Sequence, residues 1–407
     1  MTPRRRVVVS GVGVVSPVGT GVPAFWSALL EGRGGVGPIS KFDTSMLTAS
    51  LGAEVKDFEP RDHVDGRTVR TSDPSAIQLL AAAREALASA ELTRPPDPAA
   101  VGIVVGLDVA HDSVRRAALG LERSGQLGVD SFAIVQSLPN TAASLVAHTF
   151  GFHGAQHAVS GACASGALAL LHAWNLIQLG YVDAAVAGCT ATLNPLVVAS
   201  CAAARVLTEN RDPSTASRPF DLLRDGFVLG EGAAAVVVED LAHARARDAP
   251  VLAELLGGWQ SSSTAGYTVN PAADAAACMR SALGATGIEP AEIDLVGAHA
   301  TGTPVGDRQE AEALRLTFGD RRVPAFAAKS ALGHCMSAGG GIETIALVLA
   351  LRDGIAPPTI NYEHPDPRCD VDCVPGRARA IPARIGLKNS FGFGGVNCCL
   401  VLRRWDQ

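Results

Sequence analysis

The sequence has few aromatic residues, no long uninterrupted apolar run and no excess of positive charge. Aromatic residues make up 5% of its 407 residues, and the formal net charge is −6. Both properties argue against a nucleic-acid-binding protein, which needs a basic surface and aromatic platforms for stacking bases. No stretch approaches the ~18 consecutive apolar residues of a membrane-spanning helix. Neither nucleic acid nor a membrane is therefore an expected partner.

The sequence also lacks a recognisable export signal and a standard zinc-binding pattern. It opens with basic residues, but the apolar run that follows is short and interrupted by glycines, which does not fit a signal peptide. Its nine cysteines are an odd number, so we expect reduced thiols in a cytoplasmic protein. Cys369 and Cys373 lie near His364, but their spacing matches no standard zinc site, and no metal is expected.

The sequence does have a regular alternation of strand-like and helix-like segments. Its hydrophobic content of 47% supports a sizeable core. The apolar runs Val101 to Val105 and Ala184 to Gly188 are typical of parallel strands buried on both faces. We therefore expect an α/β fold with an N-terminal half over residues 1–250 and a C-terminal half over 251–407. Consecutive strand-like pieces at the end of each half hint at a duplicated unit.

The strongest candidate for a catalytic centre is QHAVSGACASGALALL, from Gln156 to Leu171. A β-leaning run ends at Val159, Gly161 permits a tight turn, and Cys163 then opens an apolar helix. There the thiol faces unpaired backbone N–H groups and the positive end of the helix dipole, which both favour the nucleophilic thiolate. The alternative is a buried cysteine that acts as a small hydrophobe, which is the commoner role.

Three later segments follow apolar strands and are rich in Gly, Ser or Thr. They are HATGTPVGD from His299 to Asp307, KSALGH from Lys329 to His334, and NSFGFGGVN from Asn389 to Asn397. Loops at the carboxyl ends of buried parallel strands are where α/β folds bind ligands. Two histidines, a lysine and a thiol that converge there suit carbanion or acyl-transfer chemistry. Taken alone, either histidine could instead be a satisfied core residue.

With these motifs the sequence resembles the β-ketoacyl-acyl carrier protein synthases of the thiolase-like superfamily. The similar type is the elongating ketosynthase of type II fatty-acid and polyketide systems. The resemblance also includes the opening VVVSGVGVVSPVG and the central RPFDLLRDGFVLGEGAA, and it runs from about Arg5 to Leu402. It implies two βαβαβαββ halves in a five-layered α/β/α/β/α arrangement, normally a dimer.

The resemblance implies a role for each central residue. Cys163 would take the growing acyl chain as a thioester, and its backbone N–H and that of Phe393 would form an oxyanion hole. Phe393 would also act as a gate over the acyl pocket. His299 and His334 would bind the malonyl thioester carbonyl and stabilise the enolate that forms as CO2 leaves.

Four further residues would support the site in the same way. Lys329 would hold the loop of His334 and add positive charge, and Glu343 would pair within this network; a purely structural ion pair is the alternative. Thr301 and Thr303 would hydrogen-bond the phosphopantetheine arm of the substrate, and turn capping is the alternative.

The partner that the resemblance implies is an acyl carrier protein, which is acidic. Because this chain is also acidic overall, docking needs a local basic patch. The candidates for this patch are Arg67, Arg70, Arg205 and Arg211. Ordinary solvated arginines are an equally good interpretation of any one of them.

The sequence departs from the family pattern at several positions. Ala300 stands where the family usually has glycine, and Ser160 where threonine is common. Cys335 and Met336 follow His334 in place of the usual aliphatic residues. The loop over residues 262–267 lacks the usual Asp and His, and since that loop normally works with the Phe393 gate, we expect substrate gating to differ.

The predicted reaction is a decarboxylative Claisen condensation of a cysteine-bound acyl chain with malonyl-acyl carrier protein. No cofactor of its own is expected, because the substrates arrive on the 4′-phosphopantetheine of the carrier protein. The unusual loop and the Ala/Arg-rich composition favour a polyketide pathway over general fatty-acid synthesis. A non-elongating acyltransferase and a chain-length-factor-like subunit, which lacks the nucleophile, are the alternatives. The partner subunit would be a second copy or a chain-length factor.

Overall fold

The computed structural model describes residues 5–108 and 111–406. The strands are β1 (Val7–Ser16), β2 (Gly19–Thr20), β3 (Val36–Pro38), β4 (Leu51–Ala53), β5 (Val101–Gly106), β6 (Gln156–Val159), β7 (Ala184–Ala191), β8 (Gly232–Asp240), β9 (Ala253–Ser262), β10 (Leu295–Gly297), β11 (Ala325–Phe326), β12 (Ile355–Ala356), β13 (Arg379–Ala380), β14 (Ile385–Gly392) and β15 (Val396–Arg404). The α-helices are α1 (Val22–Leu30), α2 (Gly66–Thr71), α3 (Pro74–Ser89), α4 (His111–Ser124), α5 (Ala133–Ser137), α6 (Thr141–Phe150), α7 (Ser165–Gln178), α8 (Pro195–Ala203), α9 (Leu241–Ala246), α10 (Ala272–Thr286), α11 (Pro304–Phe318), α12 (Lys329–Leu332) and α13 (Met336–Asp353).

The large sheet contains the same five-strand unit twice. The strand order is β6-β5-β7-β8-β1 in the first half and β11-β10-β14-β15-β9 in the second. In each unit the first two neighbouring pairs are parallel and the last two are antiparallel. The units join where β1 pairs with β9 at Val8 and Glu254. The duplication at which the sequence hints therefore has a counterpart in the topology, and the predicted boundary at 250 precedes β9.

Three hydrophobic clusters show how the layers stack. The central cluster contains α7 and α13 between the two sheet halves. A second cluster packs α3 and α6 on the outer face of the first half, and a third packs α10 and α11 on the outer face of the second half. Adjacent strand residues alternate between clusters, so that Cys398 faces the centre and Cys399 the outside. This is the predicted α/β/α/β/α arrangement of the thiolase-like fold.

The two central helices approach each other closely through small residues. A Cβ added at Gly340 of α13 would lie 2.6 Å from the backbone nitrogen of Ala167 in α7, and one added at Gly341 would lie 2.3 Å from Sγ of Cys189. The helix begins at Met336, so that these glycines lie within it. Gly340 lies at the contact between the two helices and Gly341 at the contact of α13 with β7, where packing offsets the low helix propensity of glycine. No helix of the described residues is both long and apolar enough to cross a membrane.

Candidate active site

Cys163 lies in the tight turn that joins β6 to the central helix α7. The turn, Ala162–Ala164, is one turn of 3-10 helix. Ala162 has a φ of +49°, a left-handed conformation that residues other than glycine adopt uncommonly. The last residue of β14, Gly392, packs against this turn, and a Cβ there would lie 2.3 Å from the carbonyl oxygen of Gly161. Glycine at this position therefore lets β14 approach the thiol.

His334 reaches the Cys163 sulfur from the link between α12 and α13. Its backbone N–H donates to the carbonyl of Val228 at 2.7 Å. The ring of Phe227 stands edge-on to the imidazole, with ring centres 5.0 Å apart. Held in this way, Nε2 of His334 lies 3.0 Å from Sγ of Cys163. A proton can pass between thiol and imidazole at this distance.

His299 faces the same point from the end of β10. Glu310 of α11 accepts hydrogen bonds from the backbone N–H groups of His299 at 2.9 Å and of Ala300 at 2.6 Å. The centres of the two imidazole rings are 5.6 Å apart. Nζ of Lys329 lies 3.4 Å from Nδ1 of His299. Because an ammonium group can only donate, we assign the ring proton of His299 to Nε2.

A buried group of charged side chains supports the two imidazoles. The carboxylate of Glu343 lies between two ammonium groups, Lys329 at 2.6 Å and Lys388 at 2.9 Å. Lys329 also donates to the backbone carbonyl of His299 at 2.6 Å. All three charged residues are 2% exposed or less. Their mutual pairing makes this burial tolerable, because an unpaired charge in such a place would be very costly.

The sequence predicts that the turn and the helix terminus favour a thiolate at Cys163, but burial outweighs this effect in the free protein. Burial raises the pKa of the Cys163 thiol to about 12, and the carboxylate of Asp108 raises it further. Lys329 and the backbone N–H of Phe393 act in the opposite direction but do not compensate. The resting nucleophile is therefore a neutral thiol that needs a base, and Nε2 of His334 is in place to serve as one.

Both imidazoles are neutral. Burial lowers the pKa of His299 and of His334 well below the usual value, and the ammonium groups of Lys329 and Lys388 lower both further. Each ring can therefore accept or donate one proton near neutral pH.

A cavity of about 360 Å³ opens above these groups. Cys163, both histidines and Phe393 contribute to its lining. Thr301 and Thr303 line it as well, with hydroxyl oxygens 3.1 Å apart. A thiol and two imidazoles that face one cavity can accept an acyl group and stabilise a neighbouring oxyanion. Among the residues that the structure describes, no group of three or more His, Cys, Asp or Glu could hold a metal ion.

Two protein-family models together match most of the chain. The model of the β-ketoacyl synthase N-terminal domain matches residues 4–244, and that of the β-ketoacyl synthase C-terminal domain matches residues 252–363. The chain belongs to the β-ketoacyl synthase family. Its members are condensing enzymes of the acyltransferase type.

Individual relatives match this ketosynthase over nearly its whole length. The 3-oxoacyl-[acyl-carrier-protein] synthase 2 of Coxiella burnetii is 40% identical, with 98% of this chain and 99% of the relative covered. The solved ishigamide ketosynthase/chain length factor superposes with a TM-score of 0.94 at 32% identity, covering 99% and 100% of the two chains. The ketosynthase AntDE, solved with its type II polyketide acyl-carrier protein AntF and bound to the hexaketide, has a TM-score of 0.91 at 30% identity, covering 99% and 100%.

The altered loop of the ketosynthase contacts the gate loop through its backbone. Ser263 donates from its N–H to the carbonyl of Gly395 at 2.7 Å, and Gly394 donates from its N–H to the carbonyl of Tyr267 at 2.7 Å. Gly394 and Gly395 both have positive φ, 79° and 78°. The side chain of Phe393 is 36% exposed. The two loops therefore pair without the Asp and His that the sequence lacks.

The four candidate docking arginines are exposed but are not all at one place. Arg205 lines the active-site cavity, whereas Arg211 lines a neighbouring surface pocket beside Leu207. Arg67 and Arg70 lie on α2 and are absent from the described lining of the cavity. The structure thus places Arg205 at the cavity, while the carrier-protein patch stays a prediction for all four.

Sequence reasoning missed three charged residues of the site. Lys388 directly precedes the NSFGFGGVN segment, and a charge inside an otherwise apolar strand is the signal that could have revealed it. Glu310 lies on α11 and accepts three hydrogen bonds, two from the turn after His299 and one from the side chain of Asn389 at 3.0 Å. Asp108 follows β5, 3.5 Å from the hydroxyl of Ser160, and the sequence gives no signal for it.

Proposed function

We propose that this ketosynthase condenses an acyl chain carried on Cys163 with malonyl-acyl carrier protein, with loss of CO2. The observation that carries the proposal is the 3.0 Å contact between Sγ of Cys163 and Nε2 of His334, at a point that His299 also faces. A chain-length-factor-like subunit needs no such pair, so Cys163 in this position argues against that alternative. A non-elongating acyltransferase would not need the second imidazole.

In the first half-reaction the Cys163 sulfur attacks the acyl thioester of a carrier protein. The thiol proton moves to Nε2 of His334, which is neutral and within reach. The tetrahedral oxyanion is stabilised by the backbone N–H groups of Cys163 and Phe393. As the oxyanion collapses, the C–S bond to the carrier breaks and its thiolate takes the proton back from His334. The acyl group is left on Cys163.

In the second half-reaction the malonyl thioester loses CO2 between the two imidazoles. The C–C bond to the carboxylate breaks, and its electron pair forms an enolate whose oxygen accepts a hydrogen bond from Nε2–H of His299. It accepts a second one from His334 in the neutral tautomer that carries its proton on Nε2. Each such donor lowers the barrier by ~3–4 kcal/mol. The enolate carbon attacks the Cys163 thioester and the C–S bond breaks. The cysteine thiolate then takes up one proton from solvent, which balances the loss of the carboxylate as CO2.

Supporting roles follow from the contacts of the neighbouring residues. Lys329, paired with Glu343, fixes the turn of His299 and supplies positive charge below the imidazoles. Thr301 and Thr303 present hydroxyls to a pantetheine arm in the cavity; Thr303 also caps α11 by accepting from the N–H of Gly306 at 3.1 Å. Phe393 gates the cavity, hinged on Gly394 and Gly395.

For the pathway we propose type II polyketide synthesis. The altered 262–267 loop and the likeness to the ishigamide and AntDE ketosynthases favour it. The identity to the synthase of Coxiella burnetii favours general fatty-acid synthesis, the second candidate. The substrates in either case arrive on the phosphopantetheine of an acyl carrier protein.

We further infer that the chain pairs with a second subunit, either a copy of itself or a chain-length factor. Strand β6 lies at the end of the large sheet, and its residues Gln156 to Ala158 are exposed. Apolar side chains of the nearby segment over residues 121–138 are exposed as well: Leu121, Leu127, Phe132, Ile134, Val135 and Leu138. An open strand edge beside exposed apolar residues favours a partner. Sedimentation of the purified chain alone tests the homodimer.

Acyl transfer and condensation can be measured on the purified chain with acyl- and malonyl-acyl carrier protein. Wild type should retain a labelled acyl group and release CO2 and a 3-oxoacyl product, and Cys163→Ala should retain no label. Retained label without a condensation product would instead support the acyltransferase. Comparable use of 3-oxoacyl and saturated donors would support the polyketide pathway; strict use of saturated donors would support fatty-acid synthesis.

A further inference from the structure

Lysine is scarce in this chain, and two of the four lysines are buried in the active site. The sequence contains four lysines, at positions 41, 56, 329 and 388. Lys41 and Lys56 are exposed, whereas Lys329 and Lys388 are 1% and 0% exposed. The role proposed for Lys329 follows from its bonds to His299. None of the proposed catalytic steps uses Lys388.

Strand β14 places Lys388 directly below the site. Its Nζ lies 2.9 Å from Oε2 of Glu343 and also donates to the backbone carbonyl of Asn389. The side-chain amide of Asn389 in turn donates to Glu310, which holds the backbone of His299. Lys388 thus contacts Glu343 directly and is linked to Glu310 only through Asn389.

The neighbouring strand leaves room for this side chain. Gly297 of β10 pairs with Lys388 in the parallel register. A Cβ added at Gly297 would lie 3.1 Å from Cδ of Lys388, which is tighter than ordinary van der Waals contact. The apolar stem of the lysine therefore occupies the space of the missing side chain.

The charged side chains around the histidines are not paired one to one. Glu343 alone faces two ammonium groups, one from α12 and one from β14. Glu310 of α11, a second carboxylate on this side, is bonded to three N–H groups of neighbouring residues and also acts on Lys388. From β15, Cys398 faces Lys388 and carries no charge, because burial raises its pKa well above the usual value. The side facing Cys163 adds the neutral thiol and the carboxylate of Asp108, which acts on that thiol. The two ammonium groups under the imidazoles therefore share the single carboxylate of Glu343, and both act on the rings of His299 and His334.

We propose that Lys388 is a positioning residue which, through Glu343 and its own charge, keeps His299 and His334 neutral and favours the enolate between them. The proposal rests on the proposed condensation. A cation in a dry site near a developing oxyanion lowers the barrier without binding the substrate. Loss of the charge should also make the imidazoles easier to protonate, since burial and both ammonium groups keep their pKa values low.

Lys388→Met tests this, because it keeps the length of the stem and removes the charge. For malonyl-acyl carrier protein decarboxylation we expect kcat to fall about tenfold with KM within about twofold, as for a loss confined to the transition state. In the pH–rate profile of Cys163 acylation, the pH below which the rate falls should move to a higher value. Titration of ring-labelled histidines by NMR should show raised pKa values for both rings, a readout that does not depend on turnover.

Lys388→Arg and Lys56→Met are the controls. Lys388→Arg keeps the charge, so its acylation rate should fall at the same acidic pH as in wild type. Lys56→Met removes an exposed ammonium group and should leave kcat, the pH profile and the histidine pKa values unchanged. The proposal would be overturned if Lys388→Met folds and shows the kcat and the histidine pKa values of wild type. It would also be overturned if Lys388→Arg folds while Lys388→Met and Lys388→Gln both fail to fold, because the charge would then be needed for folding. Absence of decarboxylation by wild type would refute the proposed function instead, while the histidine titration would still decide the role of Lys388.

Discussion

The two central helices begin at equivalent places in the duplicated fold, yet the turns before them carry different chemistry. In the first half, residues 160–164 lead from β6 to α7 and present one thiol. In the second half, residues 327–335 lead from β11 to α13, include the short helix α12, and present an imidazole and an ammonium group. Because α7 and α13 pack against each other through glycines, the two turns meet at their ends.

This difference shows how the duplicated framework makes a catalytic pair. Each half alone places its turn at the carboxyl end of a parallel strand, where ligands bind in α/β folds. The thiol of the first half is not activated by its own turn, since burial raises its pKa to about 12. It needs the base that the second half brings to 3.0 Å. Nucleophile and base are therefore divided between the halves.

The largest expected effect separates the two histidines. His334→Ala should slow both Cys163 acylation and malonyl decarboxylation, each by ~10²-fold or more, because it removes the base and one oxyanion donor. His299→Ala should slow decarboxylation by a similar factor but acylation much less, since the sulfur is bonded to His334. Single-turnover acylation and CO2 release, measured separately, check this. Equal loss of acylation in both variants would contradict the division of roles.

The pH dependence of thiol reactivity tests whether the first turn can activate its own cysteine. In His334→Ala the thiol has no base, and its raised pKa predicts that alkylation by iodoacetamide increases ~10-fold per pH unit from pH 7 to 9 without levelling off. The sign follows from the thiolate fraction, which grows with pH as long as the pH stays below the pKa. Mass spectrometry of the Cys163 peptide measures the rate. A plateau below pH 8 would mean that the helix terminus suffices.

The contact that joins the turns should be sensitive to a single methyl group. Gly340→Ala places a Cβ 2.6 Å from the backbone of Ala167 and should lower the free energy of unfolding by ~1–3 kcal/mol. Gly284→Ala on α10 is the matched control, because no atom lies within 4 Å of its Cβ, and it should be neutral or stabilising. Urea unfolding of both variants measures the difference. Equal stability would show that α13 can shift away from α7 at no cost.

The motifs around the thiol and the histidines could be recognised in the sequence because each combines a reactive residue with the glycines that its turn requires. The five layers could be predicted for the same reason, through the resemblance that these motifs carry. The charge state of Cys163 could not be predicted from the sequence, because it depends on burial by segments far away in the chain. Lys388 was missed because its meaning depends on Glu343 and Gly297, which the fold alone brings to it.

The smallest expected effect concerns an alanine in each half that adopts a left-handed backbone. Ala300 follows His299 with a φ of +26°, and Ala162 precedes Cys163 with a φ of +49°. A side chain in this region costs ~1–2 kcal/mol, while glycine costs ~0.5–1 kcal/mol of chain entropy, so Ala300→Gly should raise the free energy of unfolding by up to ~1 kcal/mol. Ala162→Gly should behave alike. Thermal melting of wild type and both variants measures the change in stability. If Ala300→Gly is less stable than wild type, the buried methyl group of Ala300 contributes more by packing than it costs in backbone strain. In that case the sequence departs from the family at this position to fill the cavity wall.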